Sequence, residues 1–474
     1  MPDIPVYNAP ADRSLALFDH PTWRPTWVQR AGLVLVAIGL GAVVIAWASG
    51  LASSQPLLFS ILSLGGVSVG GLVYALGGLH EPKGVRTEGT MLASSTARGA
   101  VGWVLALVLT GLYLCLYIQP ALLAGLIPIG DPLSQFVRNM PATVENGGQW
   151  FLYGTIYTLA VSVMGVRAAV RYRHSRYHLI RTASVVFAQL CLAFILPQVL
   201  VRLGQPEIYP SYFWPLDWDL IFPSSVSSLR ASGGVGVFML VWGTFLTLIA
   251  TPILTYFFGK RWYCSWVCGC GGLAETAGDP FRHLAPKGTR AWKIERWVVH
   301  GVLAFVILVT GLMWVAAVAN VPWLDGLASA IGGVYGFWIG AMFAGVAGVG
   351  FYPVLGSRIW CRYGCPMAAI LGLQQRFFSR FRITTNGGQC ISCGNCSAYC
   401  EMGIDVKAYA QRGQNIVRAS CVGCGICATV CPRGVLKLEN GPDTSGASRA
   451  GVPVNNLIGD LEILDADWSA DALA

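Results

Sequence analysis

Apolar and polar positions in this chain alternate on a long scale. Eight runs of about 20 residues, at 28–50, 56–79, 99–119, 149–169, 181–203, 235–258, 296–319 and 332–355, are almost free of charge. Each is long enough to cross a bilayer as an α-helix. Glycine and proline recur inside these runs, as helices in a membrane tolerate. The polar intervals carry the lysines and arginines unevenly. Arg13, Arg24 and Arg30 precede the first run. Lys83, Arg86 and Arg98 follow the second, and Arg167, Arg171, Arg173, Arg176 and Arg181 flank the end of the fourth. Lys260, Arg261, Arg282, Lys287, Arg290 and Lys293 follow the sixth. The alternate intervals hold only Arg138, Arg202 and Arg230. Basic flanks mark the cytoplasmic side, so this alternation predicts eight spans with both termini in the cytoplasm.

Composition agrees with that pattern. Of the 474 residues 54 % are hydrophobic and 12 % charged, about half the charged share of a soluble domain. The net charge of +9 comes with no nucleic-acid-binding signature, so no nucleic-acid partner is expected, and the partner that composition implies is the lipid bilayer. The first 27 residues are polar and Pro-rich, with no cleavable-signal pattern. Between spans, residues 204–230 carry Tyr209, Tyr212, Phe213, Trp214 and Trp218 and read as an interfacial aromatic belt. A partner dock or a lid over a quinone site is the sharper alternative for that loop.

Chemistry concentrates near the C-terminal end. Cys390, Cys393, Cys396 and Cys400 repeat as Cys421, Cys424, Cys427 and Cys431, followed by Pro432. Cys-x2-Cys-x2-Cys-x3-Cys, doubled, is the bacterial ferredoxin signature for two [4Fe–4S] clusters, in which the fourth cysteine of each run serves the other cluster. The expected sets are Cys390, Cys393, Cys396 with Cys431, and Cys421, Cys424, Cys427 with Cys400. Structural zinc does not need the doubled triplet. Gly394, Gly423 and Gly425 would let the backbone approach the inorganic sulfurs. One position departs from the pattern: Glu401 stands where proline usually follows the fourth cysteine.

A second duplication lies at the ends of spans 6 and 8. Gly259-Lys-Arg261-Trp-Tyr263-Cys264-Ser-Trp-Val-Cys268 aligns without a gap on Gly356-Ser-Arg358-Ile-Trp360-Cys361-Arg-Tyr-Gly-Cys365. Spans 5–6 and 7–8 therefore read as duplicated hairpins. Cys264, Cys268, Cys361 and Cys365 would meet at one membrane surface and hold a third iron–sulfur or other metal centre, with Cys270 as an extra ligand; ordinary packing of small thiols is the plain alternative. Disulfides are not expected on a cytoplasmic face. Cys115 and Cys191 lie within spans and read as core. Of the six histidines only His300 falls clearly inside a span, so no haem is expected. His300 with Glu295 reads as an ordinary interfacial pair or as proton handling at a quinone site.

These two motif sets together resemble the NapH/NosR/CcoG group of membrane iron–sulfur proteins, over residues about 180 to 437. Cys361-Arg-Tyr-Gly-Cys365-Pro366 matches the group's Cys-x3-Cys-Pro, whereas the first copy has Gly269 in place of proline. The resemblance implies electron transfer between the quinone pool, or a cytoplasmic donor, and a redox partner protein, in a bacterial inner membrane. A CcoG-like metal (copper) reductase or maturation factor is the alternative. The extracytoplasmic flavin domain of NosR-like members has no counterpart in the 27-residue leader, so flavin is not expected. The organisation so expected is an all-α polytopic membrane protein with a small α+β ferredoxin domain. Its parts are a leader (1–27), an additional four-helix region (28–180), the NapH-like core (181–366), a basic amphipathic connector along the membrane surface (367–385), the ferredoxin domain (386–440) and an acidic tail (441–474).

Overall fold

A computed structural model describes residues 25–80, 99–319 and 322–440. Most of the leader and the acidic tail lie outside the described residues, as do Arg13, Arg24, Lys83, Arg86 and Arg98. Eight helices among the described residues are long and apolar enough to cross a membrane: Trp27–Ser49, Pro56–Gly77, Ala100–Ile118, Gly148–Arg171, Arg176–Arg202, Gly234–Phe258, Thr289–Ala319 and Gly326–Gly350. They are called spans 1 to 8, and they fit a multi-pass membrane protein. Thr26 opens span 1 with a reciprocal capping box to Gln29, and Gly50 closes it in the left-handed region. Spans 1 and 2 meet backbone to backbone at Gly32, Gly39 and Gly70, where a Cβ would lie under 3 Å from its neighbours. Large apolar side chains such as Trp103, Leu107 and Leu248 stay exposed on the outer walls, as a lipid-facing surface requires.

The span boundaries hold within two residues except at four ends, two of them the starts of span 5 at Arg176, five positions early, and of span 8 at Gly326, six positions early. Span 7 begins at Thr289, seven positions before the apolar run. Span 8 stops at Gly350, and Tyr352–Leu355 forms a separate turn. The duplication reaches into the helices: π-helical turns occupy Leu246–Ala250 in span 6 and Tyr335–Ala347 in span 8. Gly259 and Gly356, at matching positions, both take positive φ where the chain leaves the helix.

The loop between spans 5 and 6 folds partly inward, burying Phe213 and leaving Tyr209 exposed. Phe213 is 1 % exposed, stacks on Trp262 and meets Tyr263 edge-on, and the Tyr263 hydroxyl donates to the Ser211 carbonyl at 2.8 Å. Trp214 donates to Thr310 of span 7 at 3.2 Å. Phe213 and Trp214 are drawn inward because the chain beyond span 6 offers them a buried apolar face. Helix Pro366–Phe378 buries Met367, Ala368, Ala369, Leu371 and Gln375 between spans 6 and 7 and the ferredoxin segment and leaves Phe377 and Phe378 exposed at its end. Cys115 and Cys191 are half-buried in the walls of spans 3 and 5.

The C-terminal segment closes on a two-stranded antiparallel sheet, β1 (Arg382–Thr385) with β2 (Leu436–Glu439), which ties its two ends together. A buried ionic cluster fixes it to the helices. Glu275 lies 2.6 Å from Arg358, 2.9 Å from Arg181 and 3.2 Å from Arg282. Glu401 of the ferredoxin segment sits 3.0 Å from Arg358 and 3.1 Å from Arg282, beside the Glu275 carboxyl. Asp279 adds Arg171 at 2.7 Å, Arg282 at 2.9 Å and the Tyr172 hydroxyl at 2.8 Å. Burial pushes the Glu275 carboxyl up, but Arg181, Arg358 and Arg282 outweigh this and hold it at about 2. Removing one member of a buried ion pair leaves an uncompensated charge and costs about 3–5 kcal/mol. Glu401→Gln should therefore lower the thermal denaturation midpoint in detergent and speed hydrogen exchange across residues 418–424. Exposed Glu145→Gln should do neither, and equal behaviour of the two variants would remove the clamp.

Candidate iron–sulfur and thiol centres

The two four-cysteine runs fold as one unit repeated. Ser392 and Gly423, each two residues after a run's first cysteine, have φ of 59° and 63°. Gly394 and Gly425 follow at 80° and 82°, and each begins a short helix, Asn395–Ala398 and Ile426–Thr429. Gly403 and Gly434, three residues after the fourth cysteines, match again at 68° and 61°. Left-handed backbone at these positions curls the chain around a hollow, and glycine adopts it without steric cost. Ser392 shows that a small polar residue also serves.

Two hollows result. One is lined by Cys390, Cys393, Cys396 and Cys431, the other by Cys400, Cys421, Cys424 and Cys427. The fourth cysteine of each run thus faces the other run's triplet. Backbone N–H groups are turned onto the sulfurs: Val435 N–H reaches Cys431 Sγ at 3.4 Å, and Gly423, Ser397 and Met402 do the same for Cys421, Cys396 and Cys400. All fifteen cysteines are free thiols. Burial pushes the Cys421 thiol up to about 11 and Cys424 and Cys427 well above the ordinary range. Thiols so placed ionise only against a cation. A single tetrahedral zinc would draw sulfurs to about 3.8 Å of one another, given Zn–S bonds near 2.3 Å. Among the described residues no three cysteine sulfurs lie within 4.8 Å of one another, and the one group of metal-ligand type that does is Glu275, Glu401 and Cys424. The hollows therefore fit a polynuclear cluster better than one ion.

The membrane helices supply the wall of the second hollow. Lys260 Nζ donates to Ala419 O at 3.1 Å, Gln375 to the Arg418 and Cys421 carbonyls at 2.8 Å, Ser265 to Val422 O at 2.8 Å, Tyr177 to Gly423 O at 2.8 Å, and Arg181 to Cys424 O at 2.5 Å. Nearly every carbonyl of loop 418–424 is taken by a side chain from the helices, which leaves the loop no freedom to slide.

The duplicated Cys-x3-Cys pairs come together beneath this loop. Cys264, Cys268, Cys361 and Cys365 are all buried, and Cys270 is half-buried beside Cys268. Cys268 and Cys365 occupy matching places, each preceding a helix, Gly269–Glu275 and Pro366–Phe378, and Cys365 Sγ accepts from Ala368 N–H at 3.4 Å. Arg358 donates to the Cys264 carbonyl at 3.1 Å and lies 3.6 Å from Cys361 Sγ. A hydrogen bond from Cys270 opposes burial at Cys268 and brings its thiol down to about 7, while burial raises Cys264 to about 12. Gly269 explains the departure from Cys-Pro in the first copy. A Cβ there would lie 2.6–2.9 Å from Tyr212 Oη, Gln189 Oε1 and Tyr157 Oη. Beyond Cys270, Tyr157, Tyr153, Trp150 and Tyr117 follow one another at ring separations of 5.2–6.3 Å.

The sequence does not single out Glu275 or Gln375, and it marks Arg181 and Lys260 only as basic flanks, because their partners lie up to 243 residues away. Glu401, legible only as an exception to the ferredoxin pattern, is the part of this network that a sequence signal reaches. Glu295 is paired with Arg362 at 2.5 Å, and His300 lies on the same helix inside span 7.

Comparison with known proteins gives the same division. A family described as "4Fe-4S dicluster domain" matches residues 389–436. A second, described as "4Fe-4S binding domain", matches twice, over 238–288 and 336–384, once for each Cys-x3-Cys hairpin. YccM of Escherichia coli (strain K12), whose name assigns it provisionally to electron transport, is 30 % identical over 189 residues, 35 % of this chain and 48 % of that protein. The methylamine utilization ferredoxin-type protein MauN of Methylobacillus flagellatus is 28 % identical over 164 residues, 32 % of this chain and 53 % of its own length. The chain spans about half the length of these curated relatives. No solved structure matches it. The chain carries 4Fe-4S ferredoxin-type domains attached to a bundle of eight candidate membrane helices.

Proposed function

We propose that this chain is a membrane-bound iron–sulfur electron carrier with three redox centres in series. Cys390, Cys393, Cys396 and Cys431 would hold one [4Fe–4S] cluster, and Cys400, Cys421, Cys424 and Cys427 the second. Cys264, Cys268, Cys361 and Cys365 would hold a third centre, with Cys270 alongside. One observation carries the reading: a single buried cluster contains Cys264, Cys268, Cys365, Cys396, Cys421 and Cys427, with Cys270, Cys390, Cys400, Cys424 and Cys431 packed against it. Clusters bound in these pockets would each take up and release one electron without changing their ligands.

The chain's own residues set the conditions for that traffic. Loop 418–424 is immobilised by Lys260, Ser265, Tyr177, Arg181 and Gln375, so the second pocket keeps a fixed distance from the helix-exit thiols. The Lys260 charge favours thiolate at Cys264, Cys361 and Cys421 alike, linking both sites to one buried cation. In the wider reading the ferredoxin segment lies in the cytoplasm of a bacterium, the helices in its inner membrane, and the chain exchanges electrons between quinone or a cytoplasmic donor and a redox partner. The basic flanks support this side of the membrane, and the relatives named for electron transport and as ferredoxin-type support the class of activity. A CcoG-like metal-reducing role is the second reading, favoured by a soft set of five thiols in one place.

Iron and acid-labile sulfide counted on anaerobically purified protein test the proposal. Two clusters give about eight irons per chain, and a clear excess is expected from the third centre. Cys361→Ser should remove the excess and keep about eight. Eight in both proteins would restrict the cofactors to the ferredoxin pair. In a second measurement, excess quinol added to membrane vesicles should reduce the clusters, seen by EPR; clusters that stay oxidised would exclude quinol as donor.

A further inference from the structure

Where span 7, helix Pro366–Phe378 and loop 417–420 meet, beside Cys361, a cavity of about 60 Å³ opens whose occupant the electron-transfer reading does not assign. Its lining includes Lys260, Arg296, Arg376 and Arg418, four cations from four separate segments. Among the described residues no carboxylate lies in ion-pair reach of any of them, and the one acid in the wall, Glu295, is spent on Arg362. Lys260 is 2 % exposed. His300 also lines the cavity, and its Nδ1 is buried without a hydrogen-bond partner. Trp292 holds two of the guanidiniums in place, Arg418 at 5.1 Å and Arg296 at 5.4 Å from its ring.

Of these cations Lys260 is buried, Arg376 and Arg418 are half-buried and Arg296 is exposed, so the cavity opens to the surface along a rim of positive charge that, with the orphaned ring nitrogen, favours an anion. We propose that this cavity is a binding site for a phosphate group. A neutral ring would leave the four charges unanswered, and a carboxylate has two oxygens for more donors than two. A phosphate presents more oxygens, each able to take charge-assisted hydrogen bonds, and guanidinium forks suit it. The volume admits several waters and hence a group of phosphate size. The phosphate belongs either to an anionic phospholipid or to a soluble phosphate compound. Position favours the first: Trp297, Phe377 and Phe378, adjacent in sequence to Arg296 and Arg376, are 75 %, 64 % and 70 % exposed, as side chains facing lipid are. Basic pockets between helices at a membrane surface commonly take lipid headgroups. Because Arg418, Ala419 and Ser420 lead directly into Cys421, a phosphate bound here would tie the ferredoxin loop to the membrane surface.

The test uses full-length, iron-loaded protein stripped of lipid in detergent, with bound adducts counted by native mass spectrometry. Phosphatidylglycerol is expected to be retained where phosphatidylcholine is not. Displacement of it by millimolar inorganic phosphate or pyrophosphate, or their binding alone, would assign the site to soluble phosphates. Arg296→Gln and Arg418→Gln should each weaken retention roughly tenfold or more, and Arg230→Gln, in helix Pro223–Ala231 between spans 5 and 6, should not. Wild-type protein that binds none of these phosphates above the phosphatidylcholine control overturns the proposal, as do arginine variants that bind like wild type. Iron and sulfide on the same samples report the cluster assignment separately, so either reading can fail alone.

Discussion

Charge buried at the junction of two structural units organises the whole molecule. Arg282 and Arg358 each pair with both Glu275 of the helix side and Glu401 of the ferredoxin side, whose carboxyl groups adjoin, so the two units share the same buried cations. Five arginines and three carboxylates meet in this region, all but two of them almost wholly buried. Such a cluster adds little net stability compared with apolar packing, but it is demanding about geometry, because a misplaced partner strands a charge in a low-dielectric interior. The ferredoxin segment is thereby held in one position against the helices.

That position matters for electron flow. The side chains that grip the cluster-facing loop, Lys260 and Ser265, flank the turn that carries Cys264 and lead on to Cys268. Fixing the loop and fixing the helix-exit thiols are therefore one structural event. The residue that breaks the ferredoxin pattern, Glu401, takes part in it: proline there would keep the turn and lose the ion pairs. The departure at Gly269 has the same character, since Tyr157, Tyr212 and Gln189 close over it and leave no room for a ring.

Much of this was legible in the residues. Span number and order follow from runs of apolar residues, and the two groups of four cysteines that line the hollows match the sets expected from cysteine spacing, because both are local signals read over a few turns. The duplicated hairpin was visible as an ungapped match around Arg261 and Arg358. What local patterns could not show is which distant groups meet. Arg181 and Cys424, or Gln375 and Cys421, are ordinary residues until folding brings them together. Aromatic residues 209–218 looked like a surface belt because composition does not say which way a loop folds; Phe213 and Trp214 turn inward to cover Trp262 and Thr310. The helix after Cys365 carries arginines that suit a membrane surface, and its Leu371 and Gln375 face is claimed by the ferredoxin loop.

The central claim is that the ferredoxin pockets and the helix-exit thiols form one electrically connected unit. EPR spectra of the fully reduced protein test it most directly, since paramagnetic centres in contact broaden and split one another's signals. Interacting spectra are expected for the native protein, with the splitting from the third centre lost in Cys268→Ser and the ferredoxin pair's own interaction kept. Spectra of the native protein and the variant that superimpose would contradict the account.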